Sequence, residues 1–178
     1  MDHSAIVLGC QDGDAHAQRA LYTLFAGKMM GVSLRYAGSR EEAQDILQDG
    51  FVKVFTNIHK FEAKGSLEGW IRRIIVNTAL EALRKKDALR YSSELEHHES
   101  LMAQVPNAED ALAEQELMTL VQSLPTGFRT VFNLYAIEGY SHKEIAEMLN
   151  ISAGTSKSQY ARARAVLQRA LTNTTIRP

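Results

Sequence analysis

The sequence predicts an all-α protein of two small helical domains joined by a flexible linker, the C-terminal domain being a helix-turn-helix. Three observations carry that reading. Only three of the 178 residues are proline, at 106, 125 and 178, too few for the turn punctuation of a β-rich chain. Apolar residues recur at three- and four-residue spacing through most of the chain. Residues suited to capping helices stand between the periodic stretches.

The first helix is expected after Asp14 as N-cap, with Ala17, Leu21, Leu24 and Phe25 at helical spacing and with Gly27 and Gly31 allowing a bend or close packing. Ser39 and Glu42 read as a capping box opening a second helix. Its apolar stripe is Ala43, Ile46, Leu47, Phe51, Val54, Phe55 and Ile58, while Glu41, Asp45, Gln48 and Asp49 form an acidic shoulder off the stripe. The segment His59 to Gly65 breaks the period and reads as a loop. Ser66 then caps a helix whose buried side is Leu67, Trp70, Ile71, Ile74, Ile75 and Thr78. Arg73, Asn77, Glu81 and Arg84 gather on an outward strip that ends in Arg84-Lys85-Lys86, with Glu81 spaced to pair with Lys85.

Residues 89–106 are polar, acidic and poorly periodic, which is linker composition and separates a domain at 1–88 from one at 107–178. Domains this small bury modest cores, so three or four helices apiece is the realistic architecture. Asn107 is the expected cap of a helix with Leu112, Leu117, Leu120 and Val121. Pro125 stands at the start of another, which carries Val131, Phe132 and Tyr135 and ends at Gly139. Ser141 and Glu144 form a second capping box, Asn150-Ile151-Ser152 a tight turn, and Ser152 the cap of a final helix to about Leu171 with Tyr160, Ala163, Leu167 and Leu171 inward. A short capped helix, a tight turn and a longer basic helix outline a helix-turn-helix.

The formal charge is −1, yet it is unevenly distributed. Residues 1–49 sum to −3, 50–88 to +4, 89–123 to −6 and 124–178 to +4, with no acid after Glu147. Such asymmetry suits a polyanion partner, though a solvated helix face has the same composition. Cys10 is the only cysteine, so no internal disulfide forms and a cysteine-based zinc site is excluded. No apolar run approaches the ~18 residues of a membrane span. AIVLGC at residues 5–10 is too short and lacks a basic lead for a secretory signal. His97-His98-Glu99 has no convergent ligands in sequence, and no nucleophile motif or phosphate-cradling loop occurs. Neither catalysis nor a cofactor, metal or small-molecule substrate is therefore expected.

Two motif sets carry a resemblance. In the C-terminal half they are Leu124-Pro125, Arg129, Val131-Phe132, Glu138-Gly139, Ser141, Glu144-Ile145-Ala146, Leu149, Ile151-Ser152, Gly154-Thr155, Lys157-Ser158 and Arg162-Ala163-Arg164. In the N-terminal half they are Asp45, Gln48-Asp49, Phe51, Val54-Phe55, Phe61, Leu67, Trp70-Ile71, Ile74, Asn77 and Arg84. Together they resemble the fourth and second conserved regions of extracytoplasmic-function (ECF) RNA polymerase sigma factors, in the family's order. The chain departs from the family at Ser156, usually aliphatic, at Glu81, usually aspartate, and at Gln159 and Ala161.

The resemblance implies a cytoplasmic subunit that binds core RNA polymerase, recognises and opens promoter DNA, and is commonly held by an anti-sigma factor. Asp45, Gln48, Asp49 and Phe51 would dock on a coiled coil of the largest polymerase subunit. Dipole preference explains Glu41 and Glu42 at a helix start, but it fades before Asp45, Gln48 and Asp49. Lys60, Phe61, Lys64, Arg73, Asn77 and Arg84 would serve the downstream element and melting, with Phe61 and Trp70 open to a plain core role. Thr155, Lys157, Ser158, Ala161 and Arg162 would meet the upstream element in the major groove, and the exposed N–H groups of Gly154 and Thr155 could hold a phosphate. Arg164 and Arg169 have a competing reading as a solvated helix end. The alternative function is a dimeric helix-turn-helix regulator that binds operator DNA.

Overall fold

The structure, a computed structural model, describes residues 3–92 and 112–175. The chain separates into two compact units, Met1–Leu95 and Glu96–Pro178. Among the described residues the regular structure is helical throughout.

The N-terminal unit holds α1 (Ser4–Gln11), α2 (Ala15–Tyr36), α3 (Arg40–Asn57), a 3-10 turn (Ile58–Lys60) and α4 (Leu67–Ser92). Helix α1 was not predicted; eight residues are too few to display a clear period. It buries Val7 and Cys10 and packs on α2, where a Cβ on Gly9 would stand 2.6 Å from the Ala17 Cβ. Asp14 caps α2 by accepting from the His16 N–H at 2.9 Å. The buried stripe of α2 is Leu21, Phe25, Met29, Val32, Ser33 and Tyr36, whereas Leu24, expected inward, is 42% exposed. Of the bend or close packing that Gly27 and Gly31 allow, close packing does not occur, since nothing lies within 4 Å of a Cβ added at either. Gly50 takes that role, because a Cβ there would collide with Ile75 Cδ1 where α3 crosses α4.

Ser39 accepts from the Glu42 N–H at 3.2 Å, as a capping box requires. The return bond shifts by one residue, since the Glu42 carboxylate accepts from the Gly38 N–H at 2.8 Å and also binds Lys86 at 2.5 Å. Ser66 caps α4 through the Gly69 N–H at 3.0 Å. Helix α4 buries Leu67, Ile71, Ile75, Val76, Thr78, Ala79 and Leu80, and it continues through Ser92 into the segment read as linker. The rest of that linker, the Asn107 cap and His97-His98-Glu99 lie outside the described residues.

The C-terminal unit holds α5 (Leu112–Ser123), α6 (Thr126–Phe132) continued by a π turn (Asn133–Ile137), α7 (His142–Leu149) and α8 (Ala153–Thr175). Its core joins Val121 and Leu124 to Ala163 and Leu167, with Leu120, Phe128 and Phe132 against them. Pro125 is the N-cap of α6, and Gly139 takes φ +80° just beyond the π turn, a left-handed conformation natural to glycine. The Ser141 box closes in both directions, with the Ser141 N–H donating to Glu144 at 2.8 Å and the Glu144 N–H to Ser141 Oγ at 3.3 Å. Asn150 turns the chain at φ +54°, and Ser152 caps α8 through the Thr155 N–H at 2.9 Å. Leu171, expected inward, is 49% exposed.

Candidate nucleic-acid and polymerase interfaces

On α8 the buried residues Ser156, Ala163 and Leu167 define one face, and Ala153, Gly154, Lys157, Ser158, Ala161 and Arg162 lie exposed away from it. Lys157 and Arg162 make no ion pair among the described residues, so their charges face solvent uncancelled. Thr155 is more committed than the sequence suggested. Its N–H donates to Ser152 Oγ and its hydroxyl sits 2.9 Å from the same oxygen, which removes that N–H from phosphate binding. Ser158 donates its hydroxyl to the Thr155 carbonyl at 2.9 Å, so while that bond holds it presents only acceptor capacity to a base edge. Arg164 is not simply solvated, because its guanidinium lies 6.0 Å from the Tyr160 ring centroid, a cation–π distance.

Ser156 was missed as a structural residue. It is fully buried, and its hydroxyl lies 2.9 Å from Nδ1 of His142. The His142 ring stacks on Tyr135 with centroids 4.2 Å apart and planes 9° apart. A polar side chain in the seat of an aliphatic one is thus satisfied across the helix-turn-helix, and the signal for it in the sequence was the departure itself.

In the N-terminal unit Arg73 and Asn77 are exposed on α4, and Arg84 is exposed further along. Glu81 pairs with Lys53 of α3 at 2.6 Å rather than with Lys85. Lys60 donates to Asn57 Oδ1 at 2.7 Å and Lys64 pairs with Glu62 at 2.6 Å, both at exposed sites. Phe61 is half-buried, its ring centroid 5.5 Å from that of Trp70, so both aromatics brace the loop while Phe61 keeps an accessible surface. Ala63 at φ +55° and Gly65 at φ +155° hold this loop in an uncommon backbone shape.

Asp45, Gln48 and Asp49 are exposed together on α3, and Val52, one turn on, is 64% exposed. Asp45 and Asp49 also border a small cavity of about 170 Å³ between α3 and α4. Glu41 belongs to the helix start: its own backbone N–H, and then Ser39, hold its carboxyl below the ordinary carboxylate value. Phe51 does not share the surface. It is 2% exposed and meets Tyr22 edge-on at 4.7 Å, so it shapes α3 from behind. Among the described residues no group of His, Cys, Asp and Glu is arranged to hold a metal ion, and no helix is long and apolar enough to cross a membrane.

Residues 21–89 match the family model Sigma-70 region 2, and residues 114–167 match Sigma-70, region 4. The chain is 31% identical over 170 residues to the ECF RNA polymerase sigma factor SigW of Bacillus subtilis, covering 89% of this chain and 91% of that protein. The chain belongs to the ECF sigma factor family. It is also 29% identical to the ECF RNA polymerase sigma-E factor of Haemophilus influenzae, over 92% of each chain. Of the ECF sigma factor SigE of Mycolicibacterium smegmatis, 31% identical over 147 residues, it spans only 57% of the length. In fold it is similar to the sigma factor RpoE of Bartonella quintana, solved with the anti-sigma factor NepR, at TM-score 0.59 and 23% identity over 86% of this chain and 96% of that one. A second similar fold is CnrH, solved with the cytosolic domain of CnrY, at TM-score 0.53 and 22% identity over 97% of this chain and 99% of that one. In this ECF sigma factor the region-two match runs over α2 to α4 and the region-four match over α5 to α8.

Proposed function

We propose that this sigma factor gives core RNA polymerase its promoter specificity and helps open the duplex, acting in the cytoplasm without catalytic chemistry of its own. The observation that carries the reading is the exposed face of α8, where Lys157 and Arg162 have no carboxylate partner among the described residues and stand beside the small residues Gly154 and Ala161. That face suits entry into a major groove, with Arg162 placed for guanine edges or phosphate and Lys157 for phosphate. The exposed Asp45, Gln48 and Asp49 of α3 dock on the coiled coil of the largest polymerase subunit. The loop with Lys60, Phe61 and Lys64, together with Arg73, Asn77 and Arg84 of α4, holds the downstream element as its strands part, the cations on backbone and Asn77 on a base edge. The segment between the units serves as a linker, and an anti-sigma factor holds the protein inactive. A dimeric operator-binding regulator would account for α8 but not for the exposed basic strip of α4, and it is not favoured.

The test is reconstitution. The purified protein should co-elute with core polymerase and support initiation on promoter fragments, and failure to co-elute would sink the reading. Arg73→Ala and Asn77→Ala should impair strand opening more than duplex docking, whereas Arg162→Ala should weaken binding of the upstream element. Equal effects on both steps from all three would show that this division of labour is wrong.

A further inference from the structure

Four side chains from three elements close a ring of contacts across the C-terminal unit. Ser156 of α8 holds its hydroxyl 2.9 Å from Nδ1 of His142, the first residue of α7. The His142 ring lies flat on Tyr135 of the π turn, with 4.2 Å between centroids, and Tyr135 meets Tyr160 of α8 at 4.6 Å and 53°. Ser156 and Tyr160 stand one turn apart on the same helix, which closes the ring. A hydrogen bond in its plane and a stack on its face fix the imidazole in both position and tilt. The other ring nitrogen, Nε2, makes no hydrogen bond among the described residues, and His142 is half-buried rather than enclosed.

The residues around this pair are cationic. Lys143 follows His142 on α7 and is exposed, Lys157 follows Ser156 on α8 and is exposed, and the Arg164 guanidinium lies 6.0 Å from the Tyr160 ring centroid. Glu144, the one acid in the first turn of α7, is turned back on the cap, where its carboxylate accepts from the Ser141 N–H at 2.8 Å and from the Ser141 hydroxyl at 2.7 Å.

We propose that His142 contacts the DNA backbone, its Nε2–H donating to one phosphate oxygen beside the upstream element, with Ser156 as its positioning residue. This deepens the reading of α8 as the helix that enters the major groove and rests on it. In a helix-turn-helix the second helix reads base edges while the first crosses the backbone. A donor at the start of α7, packed on the first turn of α8, is therefore placed for phosphate rather than for a base. Phosphate oxygens only accept, so Nε2 must carry a proton at contact. Ser156 allows that in either protonation state, because its hydroxyl donates to Nδ1 of the neutral ring or accepts from Nδ1 of the imidazolium. The aliphatic side chain usual in the family at this position can do neither.

The test uses reconstituted holoenzyme and a promoter fragment from which it initiates, with binding read by fluorescence anisotropy. His142→Phe keeps a flat ring for Tyr135 and removes the donor. It should weaken binding by about tenfold, the scale of one hydrogen bond to a charged group. The factor should be the same on fragments altered at single upstream base pairs, since a phosphate contact carries no sequence information. The H142F/S156V double variant exchanges the polar pair for an apolar one and should lose as much with its thermal midpoint preserved, which separates a lost contact from a lost fold. Fragments with one uncharged methylphosphonate at successive upstream positions locate the phosphate: at one of them the unaltered protein should weaken and His142→Phe should add no further loss. Ser156→Ala should lose binding in part, and its loss should vanish at that same position. Full binding by both His142 variants, a loss that varies with base sequence, or one that persists at every methylphosphonate position would overturn this inference, while intact co-elution and initiation left the sigma-factor reading standing. Failure of the unaltered protein to join core polymerase would overturn both.

Discussion

At Gly9, α1 and α2 come so close that an added methyl would stand 2.6 Å from the Ala17 Cβ, a distance that rotamer changes cannot relieve because both atoms are fixed to backbone. Gly9→Ala should therefore destabilise the N-terminal unit by about 1–3 kcal/mol, read as a fall in its thermal midpoint. Gly27, with open space around it in the middle of α2, should behave oppositely: Gly27→Ala should raise the midpoint through helix propensity, by up to about 1 kcal/mol. Cys10 is 3% exposed, and burial, then the Asp14 carboxylate, push its thiol above the ordinary value. Its thiol should thus stay protonated and react slowly with iodoacetamide near pH 8 until the unit unfolds; alkylation at the rate of a free thiol in the native state would contradict this. Ser156 has the opposite logic to a core methyl. Ser156→Ala removes the hydroxyl that His142 Nδ1 faces at 2.9 Å, at a cost of about 1 kcal/mol, and the His142 ring resonances should shift with it.

Among the elements, α7 depends most on its ends. Eight residues are marginal as a helix, so the closed box at Ser141 and the left-handed Asn150 supply much of what defines it. Ser141→Ala should cost about 1 kcal/mol and weaken upstream-element binding, because α7 is the support on which α8 is set; unchanged binding would separate the cap from the interface. Helix α3 shows the two-sidedness that the sequence implied, with Ala43, Ile46, Leu47 and Phe51 inward and Asp45, Gln48 and Asp49 outward. Both faces follow from periodicity alone. Phe51, on the apolar stripe, is buried against Tyr22, while its polar neighbours Asp45, Gln48 and Asp49 are exposed. The partners of the Glu42 and Glu81 carboxylates were illegible. Local spacing offered the Ser39 N–H to the Glu42 carboxylate and Lys85 to Glu81; the Ser39 hydroxyl does cap the Glu42 N–H, but the Glu42 carboxylate meets the Gly38 N–H and Lys86, and Glu81 meets Lys53, the two lysines brought in from other helices.

For the whole molecule, a formal charge of −1 is the sum of unlike segments rather than a neutral surface. The isolated subunit should bind duplex DNA weakly, and useful affinity should arise when α3 is docked on polymerase and both basic regions are held to the same promoter. Binding of the holoenzyme should fall steeply with salt, and Arg162→Ala should reduce the slope of log K against log salt by about one, as for the loss of one phosphate-scale contact. An unchanged slope would place Arg162 off the DNA. The sequence by itself determined the helical class, the caps at Asp14, Ser39, Ser66, Ser141 and Ser152, and the outward faces of α3 and α8, because these depend on spacing within a few turns of one chain segment. Only the tertiary structure decided that Lys86 and Lys53 reach Glu42 and Glu81, that His142 reaches the buried Ser156, and that Gly9 and Gly50 mark the close helix crossings. Those outcomes depend on which distant residues share a space, and neither helical period nor composition carries that information.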